Sequence, residues 1–265
     1  MKYSYFPMKI NAYVVILLFF LSALLNYAHA QILRLGPKAG VQVSRALYDN
    51  KEYYDQFNSN FGLGYHAGLV SNVKVSELFS LQTELLYNQV TKRLKGIETA
   101  DFNQEKYDFI SLPVLIRVSH SLGFNQFYFN AGPNVSYWLG GKGVLRTGEL
   151  AEYNLEELHY TITFDQNQAD ENIMVVTHPN RFLLGIDVGF GGLLPIQKHR
   201  LMLDFRYTFG HTNMARLETQ YIDILGFDDD LNYSNHVFSF SCAYLIDFDL
   251  LTMSTKGKTI SNKKK

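Results

Sequence analysis

The chain has 265 residues, 47% of them hydrophobic, with 20 Phe and 18 Tyr but only 18% charged. A charged fraction below the usual quarter, at a mean hydropathy of −0.09, describes a chain rich in strand formers that lacks a long apolar helix. A net charge of −1 gives no electrostatic footprint for nucleic acid, and a single cysteine, Cys242, rules out an intrachain disulfide.

Residues 1–30 read as a secretory signal. Lys2 and Lys9 give a positive start, residues 14–25 are an apolar run broken only by Ser22, and Ala28-His29-Ala30 has the small-x-small form of a cleavage site. A run of that length spans roughly 18 Å as a helix, too short for a hydrocarbon core of about 30 Å. Cleavage leaves Gln31 at the front and 22 basic against 25 acidic residues. No second apolar run approaches a spanning helix. If this exported chain is integral to a membrane it must be a closed barrel, because lipid satisfies no open backbone groups.

Eight strands follow in order, each with the period of two that sends successive side chains to opposite faces. Residues 34–44 put Leu35, Ala39, Val41 and Val43 on one face and Lys38, Gly40, Gln42 and Ser44 on the other. Residues 61–73 alternate Leu63, Tyr65, Ala67 and Leu69 with Gly62, Gly64, His66 and Gly68. Residues 79–90 set Leu81, Leu85 and Tyr87 against Gln82, Glu84 and Asn88, and residues 107–119 set Ile110 through Val118 against Ser111, Arg117 and Ser119. Residues 127–140 alternate Phe127, Phe129, Val135 and Tyr137 with Tyr128, Asn130, Asn134 and Trp138. Residues 181–210 form a hairpin around 196–199, with Phe182, Ile186, Phe190, Leu203 and Phe205 opposite Gly185, Asp187, Gly189, Asp204 and Arg206. Residues 235–248 close the series, with Phe238, Phe240 and Ile246 opposite Ser239, Ser241 and Asp247.

The apolar face is large and aromatic, while the other carries carboxylates and cations among glycines. That inverts a soluble interior and suits lipid outside. Connections at 74–78, 120–126 and 196–199 are short, whereas those at 45–60, 91–106, 141–180 and 211–234 are long. Such alternation is the pattern of periplasmic turns and extracellular loops. The expected fold is therefore all-β, an eight-stranded antiparallel up-and-down transmembrane barrel over residues 31–248, with a flexible tail at 249–265. Two segments, 158–164 and 172–178, also alternate. They are expected to form a hairpin extending strands five and six, with a ten-stranded barrel as the alternative. Pro37, Pro113 and Pro133 fall inside strands and predict β-bulges, since each lacks an N–H.

Leu35-Gly36-Pro37-Lys38-Ala39-Gly40-Val41, Leu81-Gln82-Thr83-Glu84-Leu85-Leu86-Tyr87, Ile110-Ser111-Leu112-Pro113-Val114-Leu115 and Asn130-Ala131-Gly132-Pro133 resemble the PorT-like outer-membrane β-barrel family. The likeness covers about residues 31–248. It implies a Gram-negative outer-membrane location. The family's namesake takes part in protein secretion and gliding, a role that these short motifs do not by themselves carry over.

Six inward residues, Lys38, Glu84, Arg117, Asp187, Asp204 and Arg206, are three of each sign. A barrel of eight strands is only wide enough for its side chains to fill, so they are expected to form an ion-pair core. Asp247 faces in at a strand end and is expected to be wet. The inward glycines at 62, 64, 68, 185, 189 and 191 are expected to leave room for Arg and Tyr across the lumen. His66 is expected to be a core hydrogen-bonder rather than a base.

No catalytic, cofactor or metal constellation is visible in the sequence. Loop 141–180 carries a net −5 and loop 211–234 a net −4, and the Asp228–Asp230 run lacks the spacing of a calcium loop and is expected to be a solvated acidic surface. The expected role is non-enzymatic: a monomer that acts structurally or through its loops, with outer-membrane lipid and other envelope or secretion proteins as partners. A secretion-machinery component and a lipid-modifying enzyme are the alternatives.

Overall fold

The computed structural model describes residues 32–48, 55, 57–97, 99–148, 150, 154–165, 173–176, 178–214, 221–224 and 227–249. The expected export signal with its cleavage site, and the expected tail from residue 250 onward, lie outside the described residues.

Eight long strands form a ring: β1 (Ile32–Tyr48), β2 (Gly62–Lys74), β3 (Phe79–Gly96), β4 (Phe102–Leu122), β5 (Asn125–Arg146), β6 (Phe182–Ile196), β7 (His199–Gly210) and β8 (Tyr233–Asp249). Each pairs antiparallel with the next. The ring closes where β8 returns to β1, from Ile32↔Asp249 to Tyr48↔Tyr233. Closure leaves this ring no edge, which is what a hydrocarbon environment demands of strands.

Alternation decides what each face meets. Along β7, Met202, Asp204 and Arg206 are buried, while Phe205 and Phe209 are exposed. On β4 the outward apolar residues run from Ile110 to Val118, bracketed by Asp108 and His120. The outer face carries a cross-strand aromatic row. Phe129, Phe190, Phe205 and Phe240 are register partners on β5 to β8, with successive ring centroids 6.4, 5.4 and 4.6 Å apart. Pairs of this kind add about 0.5–1.5 kcal/mol beyond burial. Here they face the lipid.

Three tight turns, at 75–78, 123–124 and 197–198, share the barrel end with Ile32 and Asp249. This is the periplasmic end by the turn pattern. At the other end the strands run further than their apolar faces. β3 and β4 stay paired to Lys95↔Phe102 and β5 continues to Arg146, so much of what the sequence marks as loop is strand. Beyond the apolar band the outward face turns polar, which hides the strand from a lipid-facing pattern.

The segment Leu158–Thr163 lies antiparallel on the upper end of β5, from Gly141↔Ile162 to Leu145↔Leu158. Ile173–Val175 pairs with it in parallel. The expected hairpin is thus corrected: two antiparallel arms would place residue 173 opposite a different partner. Neither piece enters the ring, which has eight strands rather than ten. A further short pair, Tyr221–Ile224 with Phe227–Asp230, stands apart from the ring.

The bulges expected at the prolines are also corrected. Leu35↔Ile246 and Lys38↔Ala243 keep one register across Pro37, and Pro113↔Asn134 and Ile116↔Ala131 keep one register near Pro113 and Pro133. The missing N–H costs rungs on the ladder without adding a residue. The register shift falls at Asp108/Phe109, where Leu139 is the extra residue and Gly140 takes φ +145°.

Candidate functional site in the barrel interior

The inward face divides into layers along the axis. At the extracellular end an apolar roof gathers Leu94, Tyr107, Trp138, Leu145, Ile162 and Tyr233 among others. Near the periplasmic end a smaller floor is made by Val70, Tyr128, Leu193, Met202, Ala243 and Leu245. Between them lie charges.

The structure brings five of the six expected residues into one network. Lys38 Nζ donates to Glu84 Oε1 at 2.9 Å and to Asp204 Oδ2 at 3.0 Å. Arg206 Nη2 is 2.8 Å from Glu84 Oε1 and 2.7 Å from Asp204 Oδ2, and its Nη1 is 3.4 Å from Asp187 Oδ2. Remaining lone pairs are taken by neutral groups. Asp204 accepts from Tyr128 Oη at 2.9 Å and Asn130 Nδ2 at 3.0 Å, and Asp187 accepts from Thr208 Oγ1 at 2.7 Å. Such saturation is what makes buried ions tolerable.

Arg117 stands apart from the carboxylates. Its guanidinium lies 3.7 Å from the Tyr128 ring centroid, donates to Met202 Sδ at 3.0 Å and contacts the Gln82 side-chain oxygen. Gln82 in turn donates to Glu84, so Arg117 joins the network through an amide. The three carboxylates thus touch two cations, and Arg117 supplies the third positive charge from the layer below.

Other expectations divide. His66 is buried as expected, and among the described residues its Nδ1 finds no hydrogen-bond partner. Among the six inward glycines only Gly191 makes room for a facing ring: a Cβ there would collide with Tyr128. The other five mainly abut neighbouring backbone or small and amide side chains, and none faces an arginine guanidinium. Asp247 is shared by Arg34, 3.4 Å away, and Arg200, 3.1 Å away, at the periplasmic mouth. Asp230, expected on a solvated acidic surface, is buried and accepts from the Asn232 N–H at 2.8 Å.

A second buried ion pair escapes the sequence reading. Lys92 and Glu105 meet under the roof, with Lys92 Nζ 5.0 Å from the Tyr233 ring centroid. Glu105 accepts from Tyr107 Oη at 2.6 Å and Tyr160 Oη at 2.9 Å. Both residues fall in the segment assigned to a loop. The signal lay in the uninterrupted period of two through Val90, Lys92 and Leu94 and through Asn103, Glu105 and Tyr107.

Two small cavities separate roof from charges. One of about 90 Å³ is lined by Gln42, Asn88, Ser111, Asn134 and Val237; one of about 30 Å³ touches Lys38, His66, Asp187 and Arg206. These are volumes for a few waters. Among the described residues no group of three His, Cys, Asp or Glu could hold a metal ion.

A closed ring with lipid-facing aromatics outside and paired charges inside is the arrangement of an outer-membrane barrel. The model of the outer membrane protein beta-barrel domain matches residues 29–216, more than two thirds of the chain. This chain belongs to that family. Its place is the outer membrane. No curated protein matches it. Solved structures with a similar fold include OprG from Pseudomonas aeruginosa, with 10% identity, 84% of this chain and 99% of that one covered, and a TM-score of 0.45. Neisserial surface protein A shares 10% identity, over 81% and 97%, at 0.37. Ail of Yersinia pestis, solved with the heparin analogue sucrose octasulfate, shares 9%, over 82% and 99%, at 0.34. Likeness at this level is one of fold, and no ligand or partner comes to this chain from it.

Proposed function

We propose that this outer-membrane protein is a closed, non-enzymatic barrel that acts structurally or through what its extracellular end binds. One observation carries the reading: the lumen is filled in layers, with the Lys38–Glu84–Arg206–Asp204 network between an apolar floor and an apolar roof. The six charged residues Lys38, Glu84, Arg117, Asp187, Asp204 and Arg206 serve as a structural core that ties the walls together. The test is electrical. The folded monomer, identified by heat-modified gel mobility, is added to planar bilayers. No stepwise conductance is expected, and discrete open-channel steps would overturn the reading.

The export signal at 1–30 is removed, and an intact mass beginning at Gln31 checks this point. A role in secretion or gliding, that of the namesake of the family which Leu35–Val41 and Leu81–Tyr87 resemble, is the alternative reading, and those short motifs do not by themselves carry it over. Secretion-system proteins recovered with the cross-linked barrel would favour it. The lipid-modifying alternative predicts altered lipid A mass spectra in a deletion strain, and unchanged spectra are expected.

A further inference from the structure

We propose that the outward face of β3 to β5, just above the apolar band, binds the phosphate-bearing headgroups of outer-leaflet glycolipid, with Lys106 and Lys142 at its centre. The position comes from β4. Its outward residues are apolar from Ile110 down to Val118. Directly above, Asp108 accepts from Tyr87 Oη at 2.6 Å and Gln89 Nε2 at 3.3 Å, a polar girdle at the lipid boundary. Lys106 is the next outward residue, four positions above Ile110. At a strand rise of about 3.4 Å and a tilt near 40° that is about 10 Å higher, the depth of the headgroups.

Lys106 and Lys142 are register partners on adjacent strands, and both are exposed. Direct partners have Cβ atoms about 5 Å apart, and like charges so placed are destabilising. Two arginines nearby are held closely. On the same face Arg93 is forked onto Gln104 Oε1 at 3.0 and 2.8 Å, and Arg146 is held by Glu157 at 2.7 Å. The Arg146 hydrogen bond keeps the Glu157 carboxyl below the usual range, so it stays charged and committed. Asp108, the carboxylate two residues from Lys106, is occupied by Tyr87 and Gln89. Among the described residues no carboxylate lies within 4.0 Å of Lys106, Lys142 or the exposed Lys95. Two uncommitted ammonium groups, Lys106 and Lys142, face the leaflet at headgroup depth in direct opposition and complement a layer of fixed phosphates, with Lys95 further up the same face. The anion relieves their repulsion, and the sheet supplies rigid spacing.

The experiment uses the full mature chain in phosphatidylcholine bilayers doped with lipid A, either phosphorylated or stripped of its phosphates. The readouts are the melting midpoint of the heat-modified band and lipid A retention by native mass spectrometry. Phosphorylated lipid A should raise the wild-type midpoint, and added salt should shrink the effect. The double variant K106Q/K142Q should lose most of both the shift and the retention. K74Q, at the periplasmic end, should keep both. An equal shift and equal retention in the double variant, or an equal response to the phosphate-free lipid, would overturn the proposal. Neither result bears on whether the lumen conducts, so this proposal and the closed-barrel reading fail separately.

Discussion

Arg206 and Glu84 meet as a fork across the barrel, with Nη1 3.0 Å from Oε2 and Nη2 2.8 Å from Oε1. They stand on β7 and β3, with three strands between them in either direction around the ring, so the fork ties opposite walls. Arg206→Met leaves Lys38 as the one cation touching Glu84 and Asp204, and leaves Asp187 with none. The expected loss is about 3–5 kcal/mol, the cost of stranding a buried charge. Urea unfolding from lipid vesicles measures it. Adding Glu84→Met to that variant should recover part of the loss. A deficit no larger than the roughly 1 kcal/mol of a surface pair would contradict the buried fork.

Trp138 is the single tryptophan and serves as a reporter of facing. Its ring is fully buried, 5.3 Å from Tyr107 and 4.8 Å from Phe164 between centroids, and Nε1 donates to Gly140 O at 2.9 Å. Emission should be blue-shifted and insensitive to lipids brominated on their acyl chains. Moving the reporter by one position, with Leu139→Trp in a Trp138→Phe background, should make it quenchable, since Leu139 is exposed. Equal quenching of the two proteins would mean that the strand faces were misassigned.

The contrast between Trp138 and Lys92 shows what the sequence could and could not reveal. Within the apolar band, lipid outside and charge inside make a two-residue period visible residue by residue, as from Phe182 to Gly210. Above it, Arg93, Lys95 and Lys106 point outward while Lys92 and Glu105 face a tyrosine-lined interior, so polar residues occupy both faces and the contrast disappears. Composition then says loop although the backbone is still paired. The identity of Arg117's neighbours was hidden for another reason. Alternation places it inside, but whether it reaches Glu84 or Gln82 depends on the stagger between strands. The prolines misled because a lost rung and an inserted residue leave the same mark in sequence.

The extracellular extension depends on one glycine. Gly140 has φ +145°, a conformation that side chains rarely adopt, and a Cβ there would lie 2.9 Å from Ile162 O. Gly140→Ala should cost about 1–3 kcal/mol of local strain. Because the bulge sits at the top of β5, the effect should concentrate in the extension. Trp138 emission should shift red and protease nicking around residues 154–165 should rise, while the ring keeps its heat-modified mobility. Unchanged emission and nicking would argue against the bulge at Leu139.

The facing of β7 is the relationship on which the interior depends. Phe205 is exposed and packs against Phe190 and Phe240 outside, while Asp204 is buried among Lys38, Arg206 and Tyr128. A slip of one residue would exchange these faces along the whole strand. An arginine at mid-membrane on the lipid face costs about 2–4 kcal/mol, so Leu203→Arg should impair assembly more than Thr208→Arg, which borders the lumenal cavity. A crowded lumen can itself reject a new arginine, so labelling gives the cleaner measurement. Cys242 is exposed on the outer face and is first replaced by serine. Single cysteines at 201, 203 and 205 should then react with a lipid-soluble maleimide, and those at 202 and 204 should not. Reaction at all five positions, or at the even ones alone, would place Asp204 against lipid and remove the ion-pair network with it.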